Sequence, residues 1–491
     1  MKRGTWLCIT LFAGIAYCWS QPAVMAKLSL DQAIRIAQEQ SLRKQSVDAL
    51  YESGFWQYKS INASRFTSIN LTGDLPNLNR SIGPVLQPDG TIAYKPVFIG
   101  SSSVALQLNQ PIMPIGGNIW VSSGLTRNDI FSSDTAFWLS SPFQVGVSIP
   151  LAGFNRRRWE WRQAKIRYTQ NTSIYAEELE NLSINVTQLY FDLYIANMEY
   201  GNAIQNETIN DSIFVISQGR YNVGKIAENE LLQVELSLMN ARNNVSQTRV
   251  RKEIAEERLK ILLGLNRNEN VILDTLPPMR VLDVDVAKAI QEAKDNSSFI
   301  LQNKLDINNA LMNMRESGRN RFIGGEVAAS FGLNQTAPTL GGAYTDLRNF
   351  QTANLSFFLP IYNFGRAQSE YRMNKAMYES VVAETELAVM NMEIDIKQRV
   401  LELKQLESAV IISAKANDIA ARRYDVSKNR FLIGKIDITN LTIAQNEKDI
   451  ALISYIRTLR DYWVAFYQLR RATLYDFEQN EKLIVQPEKK R

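Results

Sequence analysis

Histidine is absent from the 491-residue chain, and cysteine occurs only at Cys8 and Cys18. Without an imidazole, nothing titrates near neutrality as a mobile base, which excludes Ser-His-Asp hydrolases, His-bound zinc enzymes and imidazole proton shuttles. Beyond residue 18 no thiol can act as nucleophile, disulfide partner or metal ligand. Gly-rich phosphate loops and metal-spaced clusters are also missing, so no catalytic, cofactor-binding or metal residue is assigned and no enzyme is expected. Neither charge sign dominates: 55 Lys and Arg stand against 50 Asp and Glu, which gives no reason to expect nucleic acid. After Ala26 no run of eighteen apolar residues occurs, so any membrane contact has to come from β-strands rather than a spanning helix. What is present is a chain 45% hydrophobic and 10% aromatic, too apolar for a disordered segment. At 21% charged it is too polar for a polytopic helical membrane protein.

The N-terminus accounts for the two cysteines. Lys2 and Arg3 precede an apolar stretch from Trp6 to Tyr17, and Val24 and Ala26 occupy the −3 and −1 positions of a cleavage site. Residues 1–26 therefore read as a secretory signal. Lipidation at Cys18, in Ile15-Ala16-Tyr17-Cys18, is the alternative, with bulky Tyr17 where a small residue is preferred.

One unit is written twice. Arg220-Tyr221-Asn222-Val223-Gly224-Lys225-Ile226 matches Arg430-Phe431-Leu432-Ile433-Gly434-Lys435-Ile436, and Ile149-Pro150 matches Leu359-Pro360, both at the offset that separates Gly224 from Gly434. Ala33-Ile34 with Ala289-Ile290, and Arg65-Phe66 with Arg321-Phe322, share a second, larger offset. The difference between the offsets is an insertion in the first half, between Phe66 and Ile149. The expected organisation is a signal over 1–26 and repeat one over 27–281, with a helix, strands carrying an inserted segment at about 74–142, and a long helical hairpin over 155–265. Repeat two covers 282–491, with a helix, strands over 321–360 and a long helical hairpin over 365–477.

Ser29 with Gln32 forms a capping box that opens a helix of about thirty residues. Strand-like alternation follows, with Ile69 and Leu71 against Asn70 and Thr72, Val145, Val147 and Ile149 against Gln144, Gly146 and Ser148, and Leu355, Phe357 and Leu359 against Asn354, Ser356 and Phe358. One apolar and one polar face suits a sheet with lipid outside and water inside, or an ordinary half-buried sheet. The helical stretches after Pro150 and Pro360 run for about 65 residues, roughly 100 Å. Leu182, Val186, Leu189, Leu193 and Ala196 form one apolar seam, and Ile184, Phe191, Ile195 and Met198 a second. Two seams let one helix touch a neighbour on either side, so the helices can close into a ring; a solid bundle is the alternative. Gly224 and Gly434 mark the reversals.

The signal, the tandem repeat, the alternating strands and the Arg-aromatic-x-x-Gly tips together resemble the TolC family of outer-membrane efflux proteins over almost the whole mature chain. Leu28-Ser29-Leu30-Asp31-Gln32-Ala33 is similar to the family's opening helix, and Ala105-Leu106-Gln107-Leu108-Asn109-Gln110-Pro111-Ile112 to one of its strands. The resemblance implies a mainly α protein with a β-barrel: a homotrimeric outer-membrane barrel continued by a periplasmic α-helical barrel. It implies a passive channel in the outer membrane, partnered by lipid, a periplasmic adaptor and an inner-membrane pump of the RND or ABC type. It places adaptor docking at the tips, on Arg220, Val223, Gly224 and Lys225 and on Arg430, Ile433, Gly434 and Lys435. Candidate entrance-gate residues are Glu230, Asp437 and Asn440. Relatives carry gate aspartates about two turns beyond the second tip glycine, whereas Asn440 and Ile443 stand there in this chain. A periplasmic coiled-coil adaptor or scaffold without a channel is the competing reading. The inserted segment is either an extra barrel hairpin or an element outside the wall.

Overall fold

The computed structural model describes residues 27–151, 153–266, 269–322, 324–433 and 435–484. The signal expected over 1–26, with Cys8 and Cys18, lies outside them.

Helices occur in pairs of matching length. Helix α1 (Leu30–Gln40) and α5 (Val286–Asn296) have 11 residues each; α2 (Leu42–Ala63) and α6 (Ser298–Asn320) have 22 and 23. The long helices α3 (Arg156–Asn222) and α7 (Arg366–Leu432) have 67 each, and the return helices α4 (Glu228–Leu263) and α8 (Ile438–Thr473) have 36 each. The Ser29–Gln32 capping box is formed, with both reciprocal bonds in place. The single opening helix of about thirty residues is corrected to two helices. Ser41 ends α1 with extended backbone at ψ 150°, and Ser297 ends α5 at ψ 138° while its hydroxyl accepts the Phe299 N–H at 3.1 Å to start α6. Serine competes for backbone bonds in this way and so favours a break over a helix interior.

The seams are buried except at Leu189 and Met198, which are half-buried. Leu182, Val186, Leu193 and Ala196 of the first line and Ile184, Phe191 and Ile195 of the second are all enclosed within the single chain. Ile456, Leu459, Trp463 and Phe466 continue the pattern on α8.

The chain divides into two compact units. The first combines the chain up to Leu42 with Asn185–Arg280 and Val410–Arg460. In it the segment around Leu28 pairs with Ile272–Asp274, and the Tyr190 hydroxyl donates to the Leu28 carbonyl at 3.0 Å. The second combines Arg43–Ile184, Val281–Ala409 and Asp461–Arg491. There Arg470 donates to both oxygens of Glu180, at 3.2 and 3.1 Å, and to Asp476 at 2.7 Å.

The second unit also contains one six-stranded antiparallel sheet in sequential order: β1 (Ser68–Leu86), β2 (Ile92–Ile112), β3 (Gly117–Ile130), β4 (Thr135–Pro150), β5 (Gly324–Ala337) and β6 (Arg348–Phe358). Residues 74–142 thus lie within the sheet and its turns. By the repeat offsets β1 and β4 correspond to β5 and β6, which leaves β2–β3 as the added hairpin. β6 ends at Phe358, so Leu359, expected to extend the alternation, stands beyond the strand.

Register sorts the side chains onto two faces. One row runs Ile69, Leu108, Val121, Val145 and Phe331 across five strands, and a neighbouring one Ile119, Val147, Ala329 and Ala353. The opposite face has Asn70, Gln107, Ser122 and Gln144 in one row. On this polar face Trp120 lies across Gly146, where a Cβ would meet the ring at 2.4 Å. The added hairpin continues the apolar row without a break. Among the described residues β1 and β6 are each paired along one edge only.

Candidate docking tips and entrance

Both helix reversals belong to the first unit. At the first, the Lys225 N–H donates to the Arg220 carbonyl and the Gly224 N–H to the Tyr221 carbonyl, each at 2.8 Å. With Gly224 at φ +74° this is a Schellman termination, which requires a left-handed residue and is cheapest with glycine. At the second tip the Lys435 N–H donates to the Arg430 carbonyl at 2.9 Å. Gly434, between them in sequence, lies outside the described residues.

Val223 and Ile433, the apolar residues preceding the two tip glycines, are 68% and 67% exposed. Lys225, Arg430 and Lys435 are exposed beside them, and Arg220 is half-buried. Each tip therefore presents a β-branched apolar residue flanked by cations.

The entrance candidates divide by role. The Asp437 carboxylate accepts the backbone N–H and the side-chain amide of Asn440, both at 2.8 Å. It occupies the N-cap of α8, satisfying one of the amides a helix start leaves unpaired. Asp437 and Asn440 are thus brought together. Glu230 is exposed in the first turn of α4, where its charge is favourable to the helix dipole.

Below the tips the two hairpins share a core in which Ile213, Val234, Tyr424, Phe431 and Leu441 are buried, with Ile436 and Ile438 of the second tip packed against it. Beside it is a polar cluster that sequence reasoning missed. Asn202 and Asn206, one turn apart on α3, donate to the two oxygens of Asp449 on α8 at 3.0 and 3.1 Å. Lys448 stands 3.4 Å from the same carboxylate and 4.7 Å above the Tyr424 ring, while Arg423 pairs with Glu447. Burial first, then the Asp449 and Asp425 carboxylates, push the Tyr424 phenol above its ordinary value. In sequence the i, i+4 asparagines were the available signal, but nothing local identified their partner on another helix. On α3 and α4, Arg242 pairs with Asp211 at 3.2 Å and Glu207 at 3.7 Å.

No group of three or more metal-ligating side chains occurs among the described residues, and no helix there is long and apolar enough to cross a membrane.

Residues 121–265 match the family model described as outer membrane efflux protein. No curated protein is significantly similar to the chain in sequence. Among solved structures, a membrane protein from Pseudomonas aeruginosa aligns with TM-score 0.65 and 16% identity over 90% of each chain. The outer membrane protein VceC of Vibrio cholerae aligns with TM-score 0.63 and 11% identity, over 90% of this chain and 95% of that one. The CmeC outer membrane channel of Campylobacter jejuni aligns with TM-score 0.62 and 13% identity, over 92% and 88%. Residues 121–265 carry the sequence signature of the outer membrane efflux protein family, and the described chain has the fold of the TolC-like outer-membrane channels.

Proposed function

We propose that this chain is the outer-membrane exit duct of a tripartite efflux or type I secretion system, conducting substrate passively from a periplasmic adaptor and an inner-membrane pump of the RND or ABC type to the exterior. The observation that carries the reading is the sheet: apolar on one face, polar on the other, and open at β1 and β6. Lipid does not tolerate open strand edges, so the edges have to be paired by further copies. Three copies of six strands give a wall of about 18 strands, wide enough to enclose water.

A second feature supports self-association. Met373, Met377, Leu387, Met390, Ile394 and Leu401 form an exposed stripe along α7 at helical spacing. A stripe of that size on a periplasmic helix is suited to a neighbouring copy. In the homotrimer, Glu230, Asp437 and Asn440 stand at the periplasmic entrance. The tips dock the adaptor through Val223, Gly224, Lys225, Ile433, Gly434 and Lys435, with Arg220 and Arg430 at the helix ends.

Planar-bilayer conductance and heat-modifiable trimer migration from outer-membrane fractions test the duct. Monomeric, electrically silent material would overturn it in favour of a scaffold. Val223→Asp with Ile433→Asp is expected to leave conductance unchanged and to abolish capture of the periplasmic adaptor. Undiminished capture would remove the tips from the docking surface.

A further inference from the structure

In the second unit, where the sheet meets the helices, a cavity of about 750 Å³ lies between strand ends and the helices α3 and α6. One side of it is apolar, formed by Ile115 of the β2–β3 turn with Ile149 and Leu151 at the end of β4. Ile149 belongs to the apolar face of the sheet, since it pairs with Val327, which pairs in turn with Leu355. The other side is cationic. Arg158 and Arg162 stand one turn apart on α3, and Arg315 and Arg319 one turn apart on α6. The Arg315 guanidinium lies 5.3 Å from the centre of the Trp159 ring.

These charges are not balanced within the chain. Among the described residues none of the four arginines forms an ion pair. The neighbouring carboxylates Glu160 and Glu316 are held by Arg156, at 3.3 and 3.2 Å. Four uncompensated guanidiniums beside an apolar wall are suited to a ligand with an anionic head and a hydrocarbon body. Guanidinium binds phosphate oxygens in a bidentate fork, and a tryptophan at this level is typical of a membrane interface.

We propose that this cavity is a binding site for an anionic glycerophospholipid of the inner leaflet. Its phosphate lies among Arg158, Arg162, Arg315 and Arg319, and its acyl chains lie along Ile149 and the apolar face of the sheet. The proposal rests on the reading of the sheet as a membrane wall. It fixes the depth of the protein: the arginines mark the headgroup level on the side of the helices.

The test uses the full-length assembly in nanodiscs of phosphatidylglycerol mixed with zwitterionic phosphatidylethanolamine, with the lipid that remains after detergent washing measured by mass spectrometry. Phosphatidylglycerol is expected to be enriched over its bulk fraction, and to be lost on raising salt. The quadruple change Arg158→Gln, Arg162→Gln, Arg315→Gln, Arg319→Gln is expected to lower its retention at least about tenfold. Arg372→Gln, on an exposed part of α7 outside the cavity, is expected to leave retention unchanged. Should the quadruple variant fail to assemble, the pairs Arg158→Gln/Arg162→Gln and Arg315→Gln/Arg319→Gln are each expected to lower retention severalfold. Retention at the bulk lipid ratio, or equal retention by the variants, overturns the site while conductance keeps the channel reading intact. Displacement of the lipid by millimolar inorganic phosphate would assign the site to a soluble anion and overturn the lipid. Wild-type protein that neither inserts nor conducts overturns the channel reading, and this site with it.

Discussion

Asp437 caps α8 at 2.8 Å, and at the matching end of α4 stands Ala227, which provides no side-chain cap. The two return helices therefore differ in capping, although at both tips the lysine N–H donates to the arginine carbonyl five residues earlier. Asp437→Ala is expected to cost about 1 kcal/mol locally, and Ala227→Asp to stabilise α4 by a similar amount. Hydrogen exchange of the amides at 438–442 should speed up several-fold in the first variant, and that of 228–232 should slow in the second. Unchanged exchange in both would mean that the caps do not limit fraying.

The open edges of β1 and β6 give a second test. With Leu71→Cys combined with cysteine at Ala353, Leu355 or Phe357, at least one pair is expected to crosslink between copies, giving dimers and trimers on denaturing gels. Crosslinks formed only within single chains would contradict closure by several copies.

The contact of Asp449 with Asn202 and Asn206 ties α8 to α3 across the two hairpins. Asp449→Ala leaves both amides without their partner and removes a charge-assisted pair of bonds worth about 1.5–3 kcal/mol each. The expected outcome is a looser entrance, measured as severalfold higher single-channel conductance with trimer stability on gels retained. Conductance equal to wild type would separate this contact from the gate.

Glu177 provides a pH dependence. It accepts the Ser298 N–H at 2.9 Å and the Ser298 hydroxyl at 2.7 Å, yet burial dominates and raises its carboxyl above the ordinary glutamate value of 4.5. The folded protein thus holds this proton more tightly than the unfolded chain. Its contribution to stability is full below 4.5 and is lost as pH rises through the raised value. Glu177→Gln keeps an acceptor for Ser298 without the titration. The variant is expected to gain on wild type as pH rises from 4.5 to 7.5, measured by urea midpoints, and a constant difference would reject the assignment.

Much of this architecture is legible in sequence because long helices and barrel strands advertise their periods. The seams containing Val186 and Phe191 are visible as steps of three and four, and all but one residue of each line is buried. The alternation of Val145 and Val147 identified the apolar face before any partner strand was known. The place of β2–β3 was not legible, since the same alternation fits a hairpin inside or outside the wall, and only register with Ile69 and Val145 decides it. The breaks at Ser41 and Ser297 are not legible, because a serine break leaves the apolar period on either side undisturbed. The Asp449 cluster depends on residues more than 240 positions apart, beyond what spacing can reveal.

The unpaired edges of β1 and β6 also bear on genetics. In an assembly closed by three copies, a faulty subunit spoils the ring it enters. A cell that makes equal amounts of sound and defective chain would then retain only about one ring in eight free of the defect, for random mixing. Alleles damaging either edge but sparing assembly at the other should therefore behave as dominant, whereas alleles that prevent the chain from joining any ring should be recessive.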